Sequence, residues 1–251
     1  MIVRSLALKT ELGLAASRGT IVDRGDYVVI TTPDDPGYHY GNLLLLPAPP
    51  QVGEVSFWTR RFAAEFRDPA IRHVTLWWDG VAGDSGAEDE LVAAGFGLER
   101  CHVMTATTVT APELPVVELT PAQVLAAIDL RWVASDRHDD AYREFLTRRA
   151  RWQASLVARG LAKFFGAFDG DELVASLGLV PMGTVARYQD VQTAVAYRQR
   201  GLASALLAAA AHAVPAAHYV IMAADGAEAT RVYERAGFRI AERTVSASKH
   251  P

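Results

Sequence analysis

The sequence predicts an α/β protein built from two similar segments. Three observations carry this expectation. Stretches with strand-like and helix-like hydrophobic periods alternate along most of the 251 residues. A proline-rich joint, Ala111–Pro121 (APELPVVELTP), separates one such series from the next. Both series also end alike: HVTLWWDG is followed by LVAAGFGLERCHVMTA, and HYVIMAADG by RVYERAGFRIAERTVSAS. Aligning Gly95-Phe96 with Gly237-Phe238 sets Leu91 against Tyr233, and Asp79 falls opposite Asp225. Two generic strand–helix–strand units, each with a Gly-Phe pair capping a helix, would look the same. Duplication accounts for more of the pattern. The expected division is 1–113 and 114–251.

In the first segment a short helix is expected over Ser5–Ser17, a strand at Asp26–Thr32 and an apolar run at Asn42–Leu46 closed by PAPP. Val55, Trp58, Phe62 and Phe66 recur at helical spacing within Val52–Arg67, with Phe57 flanking their face. His73–Trp78 reads as a buried strand, Ala87–Ala94 as a helix and Leu98–Thr108 as a strand. The second segment opens with helices at Ala122–Ala134 and Asp139–Arg159. Strands follow at Lys163–Phe168, Glu172–Val180 and Val185–Ala194, the first two joined by a tight turn at Asp169-Gly170, where glycine supplies a positive φ. A helix at Gly201–His212, a strand at His218–Ala223, a helix at Ala227–Ala236 and a strand at Phe238–Val245 complete the series.

Composition narrows the class. A net charge of −4 argues against general binding to nucleic acid, which rests on clustered Lys and Arg, but leaves room for one local anion site. Cys101 is the sole cysteine, so neither a disulfide framework nor a cysteine-rich zinc site is expected. Arg4, Lys9 and Glu11 interrupt any signal-type apolar core, and no run approaches a membrane span. A soluble cytoplasmic protein with no membrane partner is the expectation, and a homodimer stays open.

Tyr188–Ala211, YQDVQTAVAYRQRGLASALLAAAA, is the most informative stretch. A strand pattern runs into Arg198-Gln199-Arg200-Gly201-Leu202-Ala203-Ser204, and an apolar helix starts at once. The first turn of a helix offers backbone N–H groups without intrahelical partners and the positive end of the macrodipole. Gly201 lets a diphosphate approach the backbone, Ala203 keeps the next turn small, Ser204 adds a hydroxyl, and Arg198 and Arg200 add charge.

This run resembles the acyl-CoA loop of the GCN5-related N-acetyltransferases (GNATs): Gln or Arg, two residues, Gly, one residue, then Gly or Ala. Arg198, Gly201 and Ala203 match, between a strand and a helix as the mechanism requires, and the similarity spans roughly Ala122–Val245. The resemblance implies two halves, each a mostly antiparallel mixed sheet flanked by helices. It implies acetyl-CoA as co-substrate and a small-molecule amine as acceptor. The pantetheine arm would pair with the main chain of Thr193, Ala194 and Val195, and the diphosphate would meet amides from Arg200 through Leu202 and Ala203 to Ser204. Tyr233 stands where the family's tyrosine gives its phenolic proton to the CoA sulfur. An asparagine often found at the next helix start is replaced here by Gly226, and Asp225 beside it is expected to cap that helix.

For the base, Asp190 is the nearest carboxylate in sequence; pairing with Arg187 or with a helix is its alternative role, and a water relay to a backbone carbonyl serves equally. His138-Asp139-Asp140 looks metal-like but is expected to open a helix with its acids, so no metal is assigned. Gly83-Asp84-Ser85-Gly86 is not a nucleophile elbow. His73, Trp77 and Trp78 are expected to fill the first sheet, and most of Trp132, Tyr142 and Trp152 to pack inward. Residues 48–58, APPQVGEVSFW, lack the loop pattern, and Leu91 replaces the tyrosine. The first half is therefore expected to be a degenerate copy, an arrangement similar to that of the mycothiol synthases. Its Pro33–Pro50 loop, with Tyr38, His39, Tyr40 and Asn42, is a second candidate contact for the acceptor. The competing functions are acetylation of a protein amine and acyl-CoA sensing without turnover.

Overall fold

The computed structural model describes residues 1–250. Helix α1, Leu6–Ala16, starts at Ser5, whose hydroxyl accepts from the Leu8 N–H. Strands β1, Thr20–Asp23, and β2, Val28–Thr31, form an antiparallel hairpin that turns through Gly25 at φ 88°. The sequence pattern missed β1 because all four of its residues are exposed, leaving no alternation to read. Strand β3, Leu43–Leu46, leads to α2, Val55–Glu65. There Val55, Phe62 and Phe66 are buried and Trp58 half-buried, whereas Phe57 faces solvent, as the helical spacing requires. Next come β4, Val74–Trp78, α3, Glu88–Ala93, and β5, Gly97–Ala106.

The proline-rich joint contains a two-residue strand, β6, Val117–Glu118, which the sequence reading passed over. The single helix expected at Ala122–Ala134 is two short ones, α4, Pro121–Val124, and α5, Ala127–Val133. Thr120 and Gln123 close a reciprocal capping box at the start of α4. Helix α6, Asp140–Ala158, is capped by Asp139, whose carboxylate accepts from the Tyr142 N–H; the acids after His138 therefore do open a helix. Strands β7, Lys163–Asp169, and β8, Glu172–Met182, are joined by the expected tight turn, with Gly170 at φ 58°. Then follow β9, Val185–Thr193, α7, Leu202–Ala213, β10, His218–Ala224, α8, Ala227–Arg235, and β11, Arg239–Lys249. No helix among the described residues is long and apolar enough to cross a membrane.

Two compact units result. The first comprises Met1–Val103, Ala223–Asp225 and the chain from Ile240 on; the second comprises Met104–Met222 and Gly226–Arg239. Residues 104–113 of the expected first half thus lie in the second unit, and most of β11 lies in the first. In the first unit the strand order is β1-β2-β3-β4-β11-β5, with β3 parallel to β4 and β11 antiparallel to β4. In the second it is β10-β9-β8-β7-β6, with β9 parallel to β10 and the other pairs antiparallel. Both units therefore hold an antiparallel run that turns parallel across one helical crossover, which matches the repeat read from the sequence.

Apolar burial organises each unit separately. Leu44, Leu46, Leu76, Trp78, Phe62, Leu91 and Phe96 form the first core. His73 and Trp77 are also buried there, and the Trp77 indole donates to Thr244 Oγ1 at 2.8 Å. In the second unit Phe164, Leu177, Leu179, Leu206 and Leu207 are buried, and the alanine-rich α7 packs on β7 and β8. Gly178 lies opposite Phe164, and a Cβ there would stand 2.4 Å from that ring.

The Pro33–Pro50 loop is organised within the first unit by Asn42, which is fully buried. Its Oδ1 accepts from the Thr32 N–H at 3.0 Å, and its Nδ2 donates to the Asp35 and Tyr38 carbonyls at 2.9 and 3.0 Å. Tyr40 donates to Glu99 at 2.5 Å and meets Ser246 Oγ at 3.1 Å. Replacing Asn42 with Ala strands the Thr32 N–H and removes one of two donors from the Asp35 and Tyr38 carbonyls, which keep the N–H groups of Tyr38 and Gly41, so Asn42→Ala should lower stability by roughly 1–3 kcal/mol. Urea unfolding with an unchanged slope checks this; a midpoint equal to that of the wild type would refute it.

Candidate active site

The site begins where two parallel strands stop pairing. Val185, Ala186 and Arg187 of β9 face His218, Tyr219 and Val220 of β10. Beyond Arg187 and Val220 no pair is formed among the described residues, yet β9 continues to Thr193 and β10 continues through Ile221 and Met222. On the other edge of β9 the register with β8 slips: Gly178 faces Gln189, but Ser176 faces Gln192. Asp190 and Val191 together oppose Leu177, which is a β-bulge. Asp190 sits in the bulge at φ 54°, a left-handed conformation that aspartate tolerates better than most residues.

The Asp190 carboxylate is held from two helices. Arg149 of α6 forks onto it, Nη2 to Oδ1 at 2.9 Å and Nε to Oδ2 at 3.2 Å. Arg131 of α5 reaches Oδ2 at 2.8 Å and also donates to Gln192 Oε1 at 3.2 Å, and Gln153 Nε2 donates to the same carboxylate. The three charged side chains are between 8% and 16% exposed. Burial pushes the Asp190 carboxyl up, but the two guanidinium groups outweigh it and hold the acid well below the usual carboxylate range. Such a group is a poor proton acceptor at neutral pH. Its partners are the two helices rather than Arg187, and the base role expected of it has no support in this environment.

Past β9 the chain makes a single helical turn over Val195–Tyr197 and enters the glycine loop. Gln199 at φ 62° and Gly201 at φ 83° are both left-handed, and Gly201 occupies the N-cap of α7 with no side chain capping the helix. The first described bond of this helix runs from the Ala205 N–H to the Gly201 carbonyl. The amides of Leu202, Ala203 and Ser204 are thus left to an outside acceptor, with the helix dipole behind them. Arg198, Gln199, Arg200 and Gly201 are exposed, and Leu202, Ala203 and Ser204 half-buried. Arg200 donates to the Ala196 carbonyl at 3.0 Å and lies 4.8 Å over the Tyr197 ring, while Arg198 Nε stands 3.5 Å from the Thr193 carbonyl.

The three residues expected to pair with an extended arm do not behave alike. Ala194 is committed on both sides, its N–H to the Val174 carbonyl at 2.8 Å and its carbonyl to the Tyr197 N–H at 2.9 Å. That corrects the expectation for Ala194. Thr193, one position earlier on the strand, directs its main chain toward the opposite edge by the alternation of a β-strand. Val195 is 64% exposed, an unusual placement for an apolar side chain beside a polar loop.

Tyr233 lies on α8, 8% exposed, with its ring 6.3 Å from that of Phe238. Burial pushes its phenol up to about 12. It therefore stays protonated at neutral pH and can donate. The cap expected of Asp225 is a correction: Gly226 is the N-cap of α8, without a side-chain bond, and Asp225 stands 3.4 Å from His102 Nε2. On α5 and α6 an aromatic row, Trp132, Tyr142 and Phe145, is only half-buried. Its rings stack at 6.2 and 6.1 Å, with Arg143 over Trp132 and Arg137 over Tyr142. Sequence reasoning missed Arg131, Arg149 and Gln153. The signal available was polarity on a buried helix face: Leu146, Ala150, Gln153 and Leu156 are the buried positions of α6, and Arg149 abuts them.

In the corresponding part of the first unit the strands stay paired and the loop ahead of the helix is tied by side chains, although the N-cap of α2, Glu54, makes no side-chain cap bond. Strand β3 pairs with β4 to its last residue, Leu46 with Trp78, and the Asp79 N–H extends the ladder to the Leu46 carbonyl. Before α2, the Gly53 N–H donates to a Glu90 carboxylate oxygen at 2.6 Å and the Gln51 N–H to Glu54 at 2.9 Å. Leu91, the counterpart of Tyr233, is buried in the core.

Residues 126–238 match the acetyltransferase (GNAT) family model. No functionally curated protein matches the sequence. Among solved structures, a functionally unknown conserved protein from Staphylococcus epidermidis superposes with a TM-score of 0.76 at 10% identity, covering 92% of this chain and 94% of its own. A GCN5-related N-acetyltransferase from Kribbella flavida gives 0.64 at 15% identity over 98% and 96%. A tandem GNAT protein from the clavulanic acid biosynthesis pathway gives 0.56 at 15% identity over 82% and 73%. At these identities the likeness is one of fold, and it extends over both segments. The strand edge left unpaired and the uncapped glycine-started helix thus lie within the stretch, residues 126–238, that is similar to the GNAT acetyltransferase family, in a chain whose fold resembles that of a tandem GNAT protein.

Proposed function

We propose that the chain is an N-acetyltransferase that moves an acetyl group from acetyl-CoA to the amine of a small molecule, with the second unit holding the co-substrate. The observation that carries this reading is the continuity of two features: the β9 edge left free beyond Arg187, and the free amides at the start of α7. An extended arm fits an unpaired strand edge through main-chain bonds, and a diphosphate fits exposed helix amides. Thr193 supplies the edge, with Val195 in the turn just beyond it, Arg198 and Arg200 the charge, and Gly201, Leu202, Ala203 and Ser204 the anion seat. When bound, acetyl-CoA supplies an activated acyl carbon and a sulfur leaving group. The first unit has no comparable opening and acts as a companion without cofactor.

In the reaction an amine lone pair forms the new C–N bond, the C–S bond breaks, and the departing sulfur takes a proton. Tyr233 is the proton donor for that sulfur, since its phenol is protonated at neutral pH and makes no hydrogen bond within the described structure. A lysine-like amine with a pKa of about 10.4 costs about 4.6 kcal/mol to neutralise at pH 7. Because Asp190 is locked to two arginines, the amine proton leaves to bulk solvent through water oriented by a backbone carbonyl, or the acceptor is an amine of lower pKa. One observation favours a second reading, an acyl-CoA sensor without turnover: the nearest carboxylate to the slot is unavailable as a base.

Release of free CoA against a panel of small amines separates these readings; a chain that binds acetyl-CoA but turns over no amine is the sensor. Tyr233→Phe should lower kcat by roughly 10²-fold while the Kd for acetyl-CoA stays within about twofold; unchanged turnover removes the acid role. A Cβ at Gly201 would meet only Leu114 Cδ1 at 3.5 Å, so Gly201→Glu has room and sets a carboxylate against the diphosphate, although the left-handed φ of 83° strains any side chain there and Gly201→Ala serves as the control for that strain. Binding of acetyl-CoA should be abolished in calorimetry, and retained binding would mean that the diphosphate lies elsewhere.

The phenol also makes stability depend on alkaline pH. With a folded pKa near 12, and about 10 when unfolded, the unfolded chain loses this proton first. The stabilisation is therefore full below pH 10 and is lost as pH rises toward 12. Burial shifts Tyr40 and Tyr188 in the same direction. The urea midpoint should fall across that window, and Tyr233→Phe should flatten the fall; an identical slope in the variant contradicts it.

A further inference from the structure

Asp190 presents three features that a site for proton transfer does not require. It is a non-glycine residue at φ 54°. It sits in the bulge that disturbs β9 just after its pairing with β10 ends. Its carboxylate is closed on all sides by Arg131, Arg149 and Gln153 from two helices. A left-handed residue inside a strand persists only where the surroundings over-determine it. Here the surroundings are a bidentate fork and a second guanidinium, the strongest side-chain hydrogen bonds available to a carboxylate. The second guanidinium continues to Gln192, on the far side of the bulge, so both ends of the disturbed segment are tied to one charge cluster.

Resting on the function proposed above, we infer that Asp190 is a positioning residue. Ionised and clamped between Arg131 and Arg149, it fixes the bulge that holds the β9 edge open, and so shapes the slot for the thioester-bearing arm. It acts through the backbone of Val191 to Thr193 and touches no reacting atom. The same carboxylate anchors α5 and α6, which carry the half-buried Trp132, Tyr142 and Phe145 row. Slot and helix pair thus share one ionic support.

The test separates the arm from the nucleotide. Asp190→Asn keeps size and tolerance of the left-handed conformation but removes the charge; binding of acetyl-CoA and of ADP, which has a diphosphate and no pantetheine arm, is measured by calorimetry. Acetyl-CoA should bind about tenfold or more weakly and ADP within about twofold of the wild type. Equal losses on both ligands, or a loss below about threefold on acetyl-CoA, overturn the role. Should Asp190→Asn not fold, Arg149→Lys keeps the charge while breaking the fork; a partial loss confined to acetyl-CoA supports the role, and no selective loss overturns it. A wild-type chain that binds no acetyl-CoA removes the parent reading, and this inference with it, before any variant is made.

Discussion

A strand inside a sheet normally bonds along both edges, and β9 does so only as far as Arg187. Leaving the rest of that edge unpaired costs backbone hydrogen bonds, so the chain must supply something that prevents the strands from zipping together. The bulge at Asp190 is that device, and a buried cluster of two arginines and one aspartate holds it in shape. Charges this far from water are costly unless geometry and hydrogen bonding are both satisfied. The cluster meets that demand with a bidentate fork, a second guanidinium and a glutamine amide. The position of Thr193, the entry to the glycine loop and the exposure of the α7 amides all follow from where the strand goes after the bulge.

The two units show the same topological sequence put to different ends. In the first, β3 and β4 stay paired to the last residue of each strand. Carboxylates from the chain itself satisfy the amides ahead of α2. In the second, the parallel pair stops early and the helix start is bare. The difference lies in the strand ladder and in the loop ahead of the helix: one unit pairs its parallel strands to their ends and ties that loop with carboxylates, and the other stops the ladder early and enters the helix through a left-handed glycine.

The alternation of helix and strand, the repeat and the glycine loop were legible in the sequence because each depends on local pattern. Gly201 is expected at the start of the helix, and it is the N-cap of α7; its left-handed φ of 83° is a further feature that the pattern does not announce. Asp139 and Ser5 read correctly as helix openers for the same local reason. Features fixed by tertiary pairing were not legible. Strand β1 has no buried side to reveal itself, and β11 continues to Lys249 because it finds β4 as a partner. The role of Asp190 depends on arginines 59 and 41 residues away in the chain, too far for any spacing rule. Ala194 failed as a ligand contact because Val174 and Tyr197 had already claimed its backbone, which only the register with β8 decides.

The carboxylate of Glu90 on the Gly53 amide has a thermodynamic counterpart in the other unit. Where a carboxylate of the chain itself holds the loop ahead of a helix, the cohesion is permanent and independent of metabolite supply. If the α7 amides take the nucleotide as proposed, part of the cohesion of the second unit would come from the bound molecule, and its resistance to heat would rise with the amount of nucleotide present.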